Sequence, residues 1–223
     1  MKNPRKFWIV NEDVEKYIRN TLKSSSRFLM ELEQYAEINN VPIMTKETKC
    51  LIEIIGWLQK PERILEIGTA IGYSSICFSN FLAADGSIET IEIDSDLALI
   101  ARDNIKKADL AQVISVIVGE GTDVLTNIDK KYDMIFIDAA KGQYETFFDL
   151  CSPMINPGGI IISDNVLYRG MVARGETVPR RKKHLVERLD QFIKKVMEDD
   201  RFDSSLLSIG DGVLLSYRKD YDE

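Results

Sequence analysis

Apolar residues recur at helical spacing through the N-terminal quarter of the chain and then give way to short blocks. Val14, Tyr17, Ile18 and Leu22 fall on one face of a helix. Phe28, Leu29, Leu32, Tyr35, Ala36 and Ile38 repeat the pattern in a second segment that stops near Asn39-Asn40. A third segment runs from Thr45 to Leu58, with Leu51, Ile54, Ile55 and Leu58 on one side. Beyond Pro61 come apolar runs rich in β-branched residues, at 63–67, 87–93, 114–118, 134–138 and 159–163. Short runs without alternation suit a parallel sheet covered on both faces. Helical patterns fill the gaps at 73–82, 96–108, 122–128 and 144–154, and a long late helix runs from Thr177 or Pro179 to Glu198. The chain closes on strands at 202–209 and 213–218 around Gly210-Asp211-Gly212, where Asp-Gly signals a hairpin tip.

This alternation predicts an α/β fold with five parallel strands and a terminal antiparallel pair. Open sheets of this kind bind ligands outside the carboxyl ends of their strands, so functional residues are expected in the loops that follow strands. No repeat, low-complexity tract or long linker divides the chain. One domain is expected over 1–223, with an N-terminal helical cap at 1–60 and a doubly wound core at 61–223.

Composition narrows the class. The 223 residues are 44% hydrophobic, enough for a sizeable core, with net charge −7. An acidic chain argues against indiscriminate nucleic-acid binding but leaves room for a local basic patch. No apolar run reaches the ~18 residues of a membrane helix, and Met1 to Asn11 carries no signal-peptide core. Cys50, Cys77 and Cys151 are widely spaced in apolar contexts, as reduced core thiols would be. A cytoplasmic protein with no membrane partner is expected. With His184 the only histidine, a His-rich metal site and a His-based triad are both disfavoured.

The chemistry concentrates after the strands. Glu66-Ile67-Gly68-Thr69-Ala70-Ile71-Gly72-Tyr73-Ser74 reads as strand, glycine turn and helix start. Glycines there let backbone approach a ligand closely. The next strand ends Ile91-Glu92-Ile93-Asp94, and an acid at that place accepts hydrogen bonds from ribose hydroxyls. The fourth strand ends Asp138-Ala139-Ala140-Lys141-Gly142, and the fifth ends Ser163-Asp164-Asn165. Asp138, Asp164 and Asn165 offer two carboxylates and an amide oxygen, hard ligands suited to Mg²⁺, Mn²⁺ or Ca²⁺. Asp at a strand end also commonly caps the following helix, so either aspartate alone says little.

The glycine pattern differs from the dinucleotide fingerprint. With the acid at the next strand end, it resembles class I S-adenosylmethionine-dependent methyltransferases. That resemblance implies a Rossmann-like, seven-stranded, mostly parallel sheet of order 3-2-1-4-5-7-6, with helices on both faces and extra N-terminal helices. D-A-x-K after the fourth strand and D-N-x-L/V-x-x-G after the fifth are similar to the cation-dependent O-methyltransferases, among them catechol and caffeoyl-CoA O-methyltransferases. The match runs from about Val41 to the hairpin. By position it implies that Asp138, Asp164 and Asn165 bind the metal, and that Lys141, with Asp138, serves catalysis beside the reacting hydroxyl. It implies a cofactor site built from Met44, Glu66, Gly68, Thr69, Gly72, Tyr73, Ser74, Glu92, Ile93, Gly119, Glu120, Gly121 and Asp138. Glu66 would hold the methionine end, Glu92 the ribose and Glu120 the adenine, with Met44 in a lid. A dication would lower the pKa of an acceptor hydroxyl from its usual value of about 10, and Lys141 would take the proton or hold the oxyanion.

From Tyr168 to His184, Arg169, Arg174, Arg180, Arg181, Lys182 and Lys183 oppose one acid, Glu176. A solvated helix start would carry such a run, but cations there oppose the helix dipole. The motifs from Val41-Pro42-Ile43-Met44 to Asp164-Asn165-Val166-Leu167-Tyr168-Arg169-Gly170 also resemble the bacterial tRNA 5-hydroxyuridine methyltransferases. This implies methylation of the wobble base in the tRNA anticodon loop to 5-methoxyuridine, with the basic residues as candidate phosphate contacts. A small-molecule catechol or caffeoyl-type enzyme is the alternative, and a nonenzymatic binding module a more distant one. The family tends to form homodimers, for which the apolar N-terminal helices offer a surface.

Overall fold

A computed structural model describes residues 11–220. The N-terminal stretch read for a signal peptide therefore lies, apart from Asn11, outside the described residues. Three helices come first: α1 (Glu12–Thr21), α2 (Arg27–Asn39) and α3 (Lys46–Gln59). The alternating core follows as β1 (Arg63–Ile67), α4 (Tyr73–Phe78), β2 (Ser87–Glu92), α5 (Ser95–Lys107), β3 (Ile114–Val118), α6 (Gly121–Thr126), β4 (Tyr132–Ile137), α7 (Tyr144–Cys151) and β5 (Ile155–Ser163). It closes with α8 (Lys183–Met197), β6 (Phe202–Leu207) and β7 (Val213–Arg218).

The strands form one sheet of order β3-β2-β1-β4-β5-β7-β6, as expected. β1 to β5 pair in parallel, and β7 runs antiparallel between β5 and β6. Alternate residues of the central strands feed two cores. Ile64, Met134, Phe136 and Ile162 join Ile52, Phe78 and Ala101 from α3, α4 and α5. Leu65, Ile135, Ile137 and Ile161 join Phe147, Phe148, Leu189 and Phe192 from α7 and α8. Burial on both faces explains why these strands read as unbroken apolar runs. Each fully buried large aliphatic side chain contributes about 1.5–3 kcal/mol.

Local chemistry sets the helix ends. Ser26, Thr45 and Asp94 cap α2, α3 and α5, each accepting a backbone N–H from the first turn. The long late helix differs from expectation. It starts at Lys183, after a separate 3₁₀ turn at Arg180–Lys182, because Pro179 is extended and Lys182 gives the helix no side-chain cap. β5 starts earlier than expected, at Ile155, and carries Pro157 and the glycines through a register irregularity against β4. α4 is shorter than expected and gives way to a 3₁₀ turn at Ser79–Phe81. All three cysteines are free; Cys77 and Cys151 are core residues, whereas Cys50 is only half-buried. Among the described residues no helix is long and apolar enough to cross a membrane.

Candidate active site

The carboxyl ends of β1 to β5 open into a cleft of about 360 Å³. Its floor is the turn after β1. Gly68 has φ 104°, and a Cβ there would collide with the Asp138 carbonyl oxygen. Only glycine lets the β1 and β4 loops pass this closely. The Gly68 and Thr69 N–H groups both donate to Ile91 O, at 3.0 and 3.2 Å, locking the turn to β2. Thr69, Tyr73 and Ser74 line the cleft at this end, and Met44 covers it from the α2–α3 loop together with Pro42 and Ile43.

Glu92 and Ile93 line the β2 wall. The two Glu92 carboxylate oxygens accept from Ala70 N at 2.8 Å and Asp94 N at 2.9 Å. The carboxylate is thus aimed, with lone pairs left for a diol. Gly119, Glu120 and Gly121 form the β3 wall. Glu120 accepts from the Thr122 hydroxyl and backbone and from Gln143 Nε2 at 3.0 Å. Those donors, Thr122 first, hold its carboxyl below the ordinary range.

Two expected cofactor residues lie off the cleft wall. Glu66 is fully buried beneath it. Its oxygens accept from the hydroxyls of Ser74, Ser75 and Thr90, the last at 2.6 Å, and Thr90 shares a 2.6 Å bond with Thr69. Glu66 therefore reaches the cleft through Ser74 and Thr69, not through its own oxygens. Burial pushes its carboxyl up to about 7, against the pull of the three hydroxyls. Gly72 starts α4 in the left-handed region, at φ 80°, facing Ala101 of α5.

At the far end β4 and β5 deliver Asp138, Asp164 and Asn165. Asp164 is buried, and its Oδ1 accepts from Asn165 N at 2.7 Å. Its Oδ2 is buried with no hydrogen-bond partner. Asn165 sits at φ 60°, a conformation Asn tolerates. This turns its amide toward Asp138, with Nδ2 3.4 Å from Oδ1. Burial pushes the carboxyls of both Asp138 and Asp164 up; the field of Asp138 adds to the rise at Asp164, and the Lys141 charge opposes it at both. Lys141, Asp138 and Asn165 line the cleft, whereas the neighbouring Asp164 is buried off its wall. Tyr144 donates its hydroxyl to Asp164 O at 2.8 Å, fixing the end of β5.

Among the described residues no group of three or more His, Cys, Asp and Glu side chains stands ready to hold a metal. The donor set here is instead two carboxylates and an amide. A buried carboxylate oxygen without a donor, close to a second, half-buried carboxylate, is the condition a cation relieves. The residues therefore fit a divalent ion.

In the sequence Asp211 reads only as a turn residue, and the structure brings it to this end. Asp211 Oδ1 accepts from Arg169 N, Asp211 O from Leu167 N at 3.0 Å, and Gly212 O from Val166 N at 3.0 Å. The β6–β7 tip thereby pins the loop after Asn165, in which Tyr168 and Arg169 have positive φ. Gln143 and Tyr144 belong to the motif around Lys141 but received no role from the sequence, and Phe147, which also lines the cleft, was not singled out.

The basic residues do not line the cleft. Arg169, Arg180, Arg181 and Lys183 are exposed, and Arg174 and Lys182 are half-buried. Lys182 lies 4.8 Å above the Tyr168 ring, and Lys183 pairs with Glu187 at 3.9 Å.

A doubly wound sheet whose nucleoside-type cleft ends in two neighbouring carboxylates, one of them buried, defines the class. An O-methyltransferase family profile matches residues 19–219, and the chain belongs to that family. The caffeoyl-CoA O-methyltransferase of Populus kitakamiensis is 29% identical over 96% of this chain and 97% of its own. A catechol O-methyltransferase of Niastella koreensis is 34% identical over 54% of this chain and 57% of its own. An O-methyltransferase of Bacillus cereus, solved in complex with SAH, is 28% identical and superposes with a TM-score of 0.81 over 93% of this chain and 97% of that one.

Proposed function

We propose that the chain transfers the methyl group of S-adenosylmethionine to a hydroxyl that can chelate a divalent cation, and that its acceptor is 5-hydroxyuridine in the tRNA anticodon loop. The observation that carries the reaction is the unpartnered Asp164 Oδ2 beside Asp138 and Asn165, at the end of a cleft that Lys141 shares. Asp138, Asp164 and Asn165 would hold Mg²⁺, or Mn²⁺ or Ca²⁺, which when bound lowers the pKa of the acceptor hydroxyl and fixes its position. Lys141 stands where it can take the hydroxyl proton or hold the oxyanion. Glu92 would receive the two ribose hydroxyls. Ser74 and Thr69, braced by Glu66, support the methionine end, and Gly68 admits the cofactor against the backbone. Glu120 faces the adenine side, and Met44 closes over the whole. The protein's remaining contribution is alignment, holding the acceptor oxygen and methyl carbon about 3 Å apart and in line.

The tRNA reading rests on the basic set around the acceptor end. Arg169 lies in the loop pinned by Asp211, Lys182 stands over Tyr168 of the same loop, and Arg180, Arg181 and Lys183 face solvent. Arg174 and Lys182, both half-buried, complete the basic set. A splayed anticodon base enters such a pocket while its phosphates meet the cations outside. The hydroxyl and carbonyl of 5-hydroxyuracil chelate as a catechol does. The second reading, a small catechol or caffeoyl-type acceptor, is favoured by the names of the relatives above. The deciding experiment is radiolabelled methyl transfer to 5-hydroxyuridine-containing tRNA and to a simple catechol, each with and without EDTA. Transfer to tRNA alone carries the first reading, and transfer to catechol alone the second. Transfer to neither, in the presence of Mg²⁺, would favour a nonenzymatic binding module.

A homodimer is proposed on the exposure of Val14, Tyr17 and Ile18, since α1 buries none of its residues within the chain. Sedimentation of the wild type against a Tyr17→Glu variant tests it, with dissociation expected in the variant.

A further inference from the structure

Glu33 lies on α2, outside the cleft, yet it gathers three elements that enclose it. Its Oε1 accepts from the Tyr73 hydroxyl at 2.8 Å and from Ser25 Oγ at 2.7 Å. Its Oε2 pairs with Lys46 Nζ at 2.9 Å. Tyr73 is the first residue of α4 and lines the cleft, and Lys46 is the first residue of α3. Between Glu33 and Lys46 runs the segment whose Pro42, Ile43 and Met44 form the opposite wall of the same cleft. One carboxylate thus ties the wall made by the cap to the wall made by the β1 turn.

We propose that Glu33 is a positioning residue for cofactor binding, acting through Tyr73 and Lys46 to hold the Met44 segment against the β1 turn. The inference rests on the reading of this cleft as the S-adenosylmethionine site. Several features set this ion pair apart from an ordinary surface pair. The Glu33 side chain is 15% exposed, and four groups share the network. Burial raises its carboxyl, but the bonds from Lys46, Ser25 and Tyr73 outweigh that and keep it below the ordinary range. Tyr73 is itself buried and needs an acceptor for its hydroxyl. Without Glu33, that hydroxyl and the Lys46 ammonium would lose the partner that keeps α2, α3 and α4 in register around the ligand. The Met44 segment would then sample open positions, and the cofactor would have to order it on binding, at a cost in affinity.

The test is calorimetric titration of S-adenosylmethionine into wild type, Glu33→Ala, Tyr73→Phe and the double variant, with thermal melts of each. Loss of a hydrogen-bonded charge predicts roughly tenfold weaker binding in Glu33→Ala. Tyr73→Phe should approach the same loss, and the double variant should be no weaker than the worse single one, because both break one link. Glu33→Gln keeps an acceptor for Tyr73 and should recover part of the affinity; it also serves if the alanine variant does not fold. In turnover the Glu33→Ala effect should fall on KM for the cofactor more than on kcat. An affinity within about twofold of wild type in both Glu33 variants, with only the melting temperature lowered, would make the network a structural tie and overturn the proposal. Losses that multiply in the double variant would overturn it as well. No binding by the wild type would sink the cofactor reading, and this inference with it.

Discussion

At the β2 end of the cleft, the two oxygens of Glu92 each receive a backbone N–H. At the β5 end, Asp164 receives one, from its own neighbour, and keeps a buried oxygen with none. Glu92 ends β2, Asp164 directly follows β5, and both are buried, so burial alone does not separate them. Donor supply does. The β2 carboxylate is completed by its own chain and is ready to accept from a neutral ligand such as a diol. Asp164 after β5 feels the negative charges of Asp138 after β4 and of Asp211, with Lys141 as the opposing charge, a setting suited to a cation. The two ends thus sort one residue type into two kinds of recognition.

Removing the metal or its carboxylate should have the largest effect. EDTA, or Asp164→Ala, is expected to lower methyl transfer more than about 100-fold, since a bound ion contributes several kcal/mol at the transition state. Mg²⁺ or Mn²⁺ should restore the chelated wild type and not the variant. Asp164→Asn should raise the melting temperature of the metal-free protein, because it removes an uncompensated buried charge, whereas Glu92→Gln should lower it. Equal shifts of the same sign would erase the contrast between the two ends.

Next is the cofactor end. Glu92→Ala should weaken S-adenosylmethionine binding by roughly 1.5–3 kcal/mol, read by calorimetry, because two hydroxyls lose a charged acceptor. An unchanged dissociation constant would place the ribose elsewhere.

A smaller and more diffuse loss is expected from the basic surface. Changing Arg180, Arg181, Lys182 and Lys183 together to Ala should weaken tRNA binding and flatten its salt dependence by about 0.7–0.9 log units for each phosphate no longer neutralised. Cofactor affinity should hardly move. Equal salt slopes in wild type and variant would return this run to a solvated surface and leave the small-molecule acceptor as the better reading.

An effect read on stability alone concerns Glu66, a third kind of buried acid, given three hydroxyl donors and no cation. Its folded pKa of about 7 lies above the ordinary 4.5. The folded protein therefore holds this proton more tightly than the unfolded chain, so the stabilisation is complete below 4.5 and lost as pH rises through about 7. The change is at most of the order of 3 kcal/mol. Melting of Glu66→Gln should fall less between pH 5 and pH 8 than melting of the wild type. Parallel curves would show that Glu66 stays ionised throughout.

The fold was legible because the central strands are buried on both faces, so β1 to β5 appear as apolar runs whatever surrounds them. Their loops were legible because Glu92 ends β2 and Gly68, Asp138 and the Asp164-Asn165 pair directly follow the ends of β1, β4 and β5. Helix ends were less so. Nothing in Thr177 to Lys183 marks where α8 begins, since its start lacks a side-chain cap and is set by Pro179 and the packing of Val186 and Leu189.

By itself the sequence determined the order of elements, the loops that carry chemistry and the acids within them, because these follow from local periodicity and spacing. Tertiary structure alone decided what each acid faces. It turned Glu66 away from the cleft and onto Ser74, Ser75 and Thr90, and it carried Asp211 from the hairpin tip to Arg169. It set Glu33 between Tyr73 and Lys46, and it left Asp164 Oδ2 without a donor. A carboxylate's role depends on the donors and charges around it, and those come from segments far away along the chain, which only packing brings together.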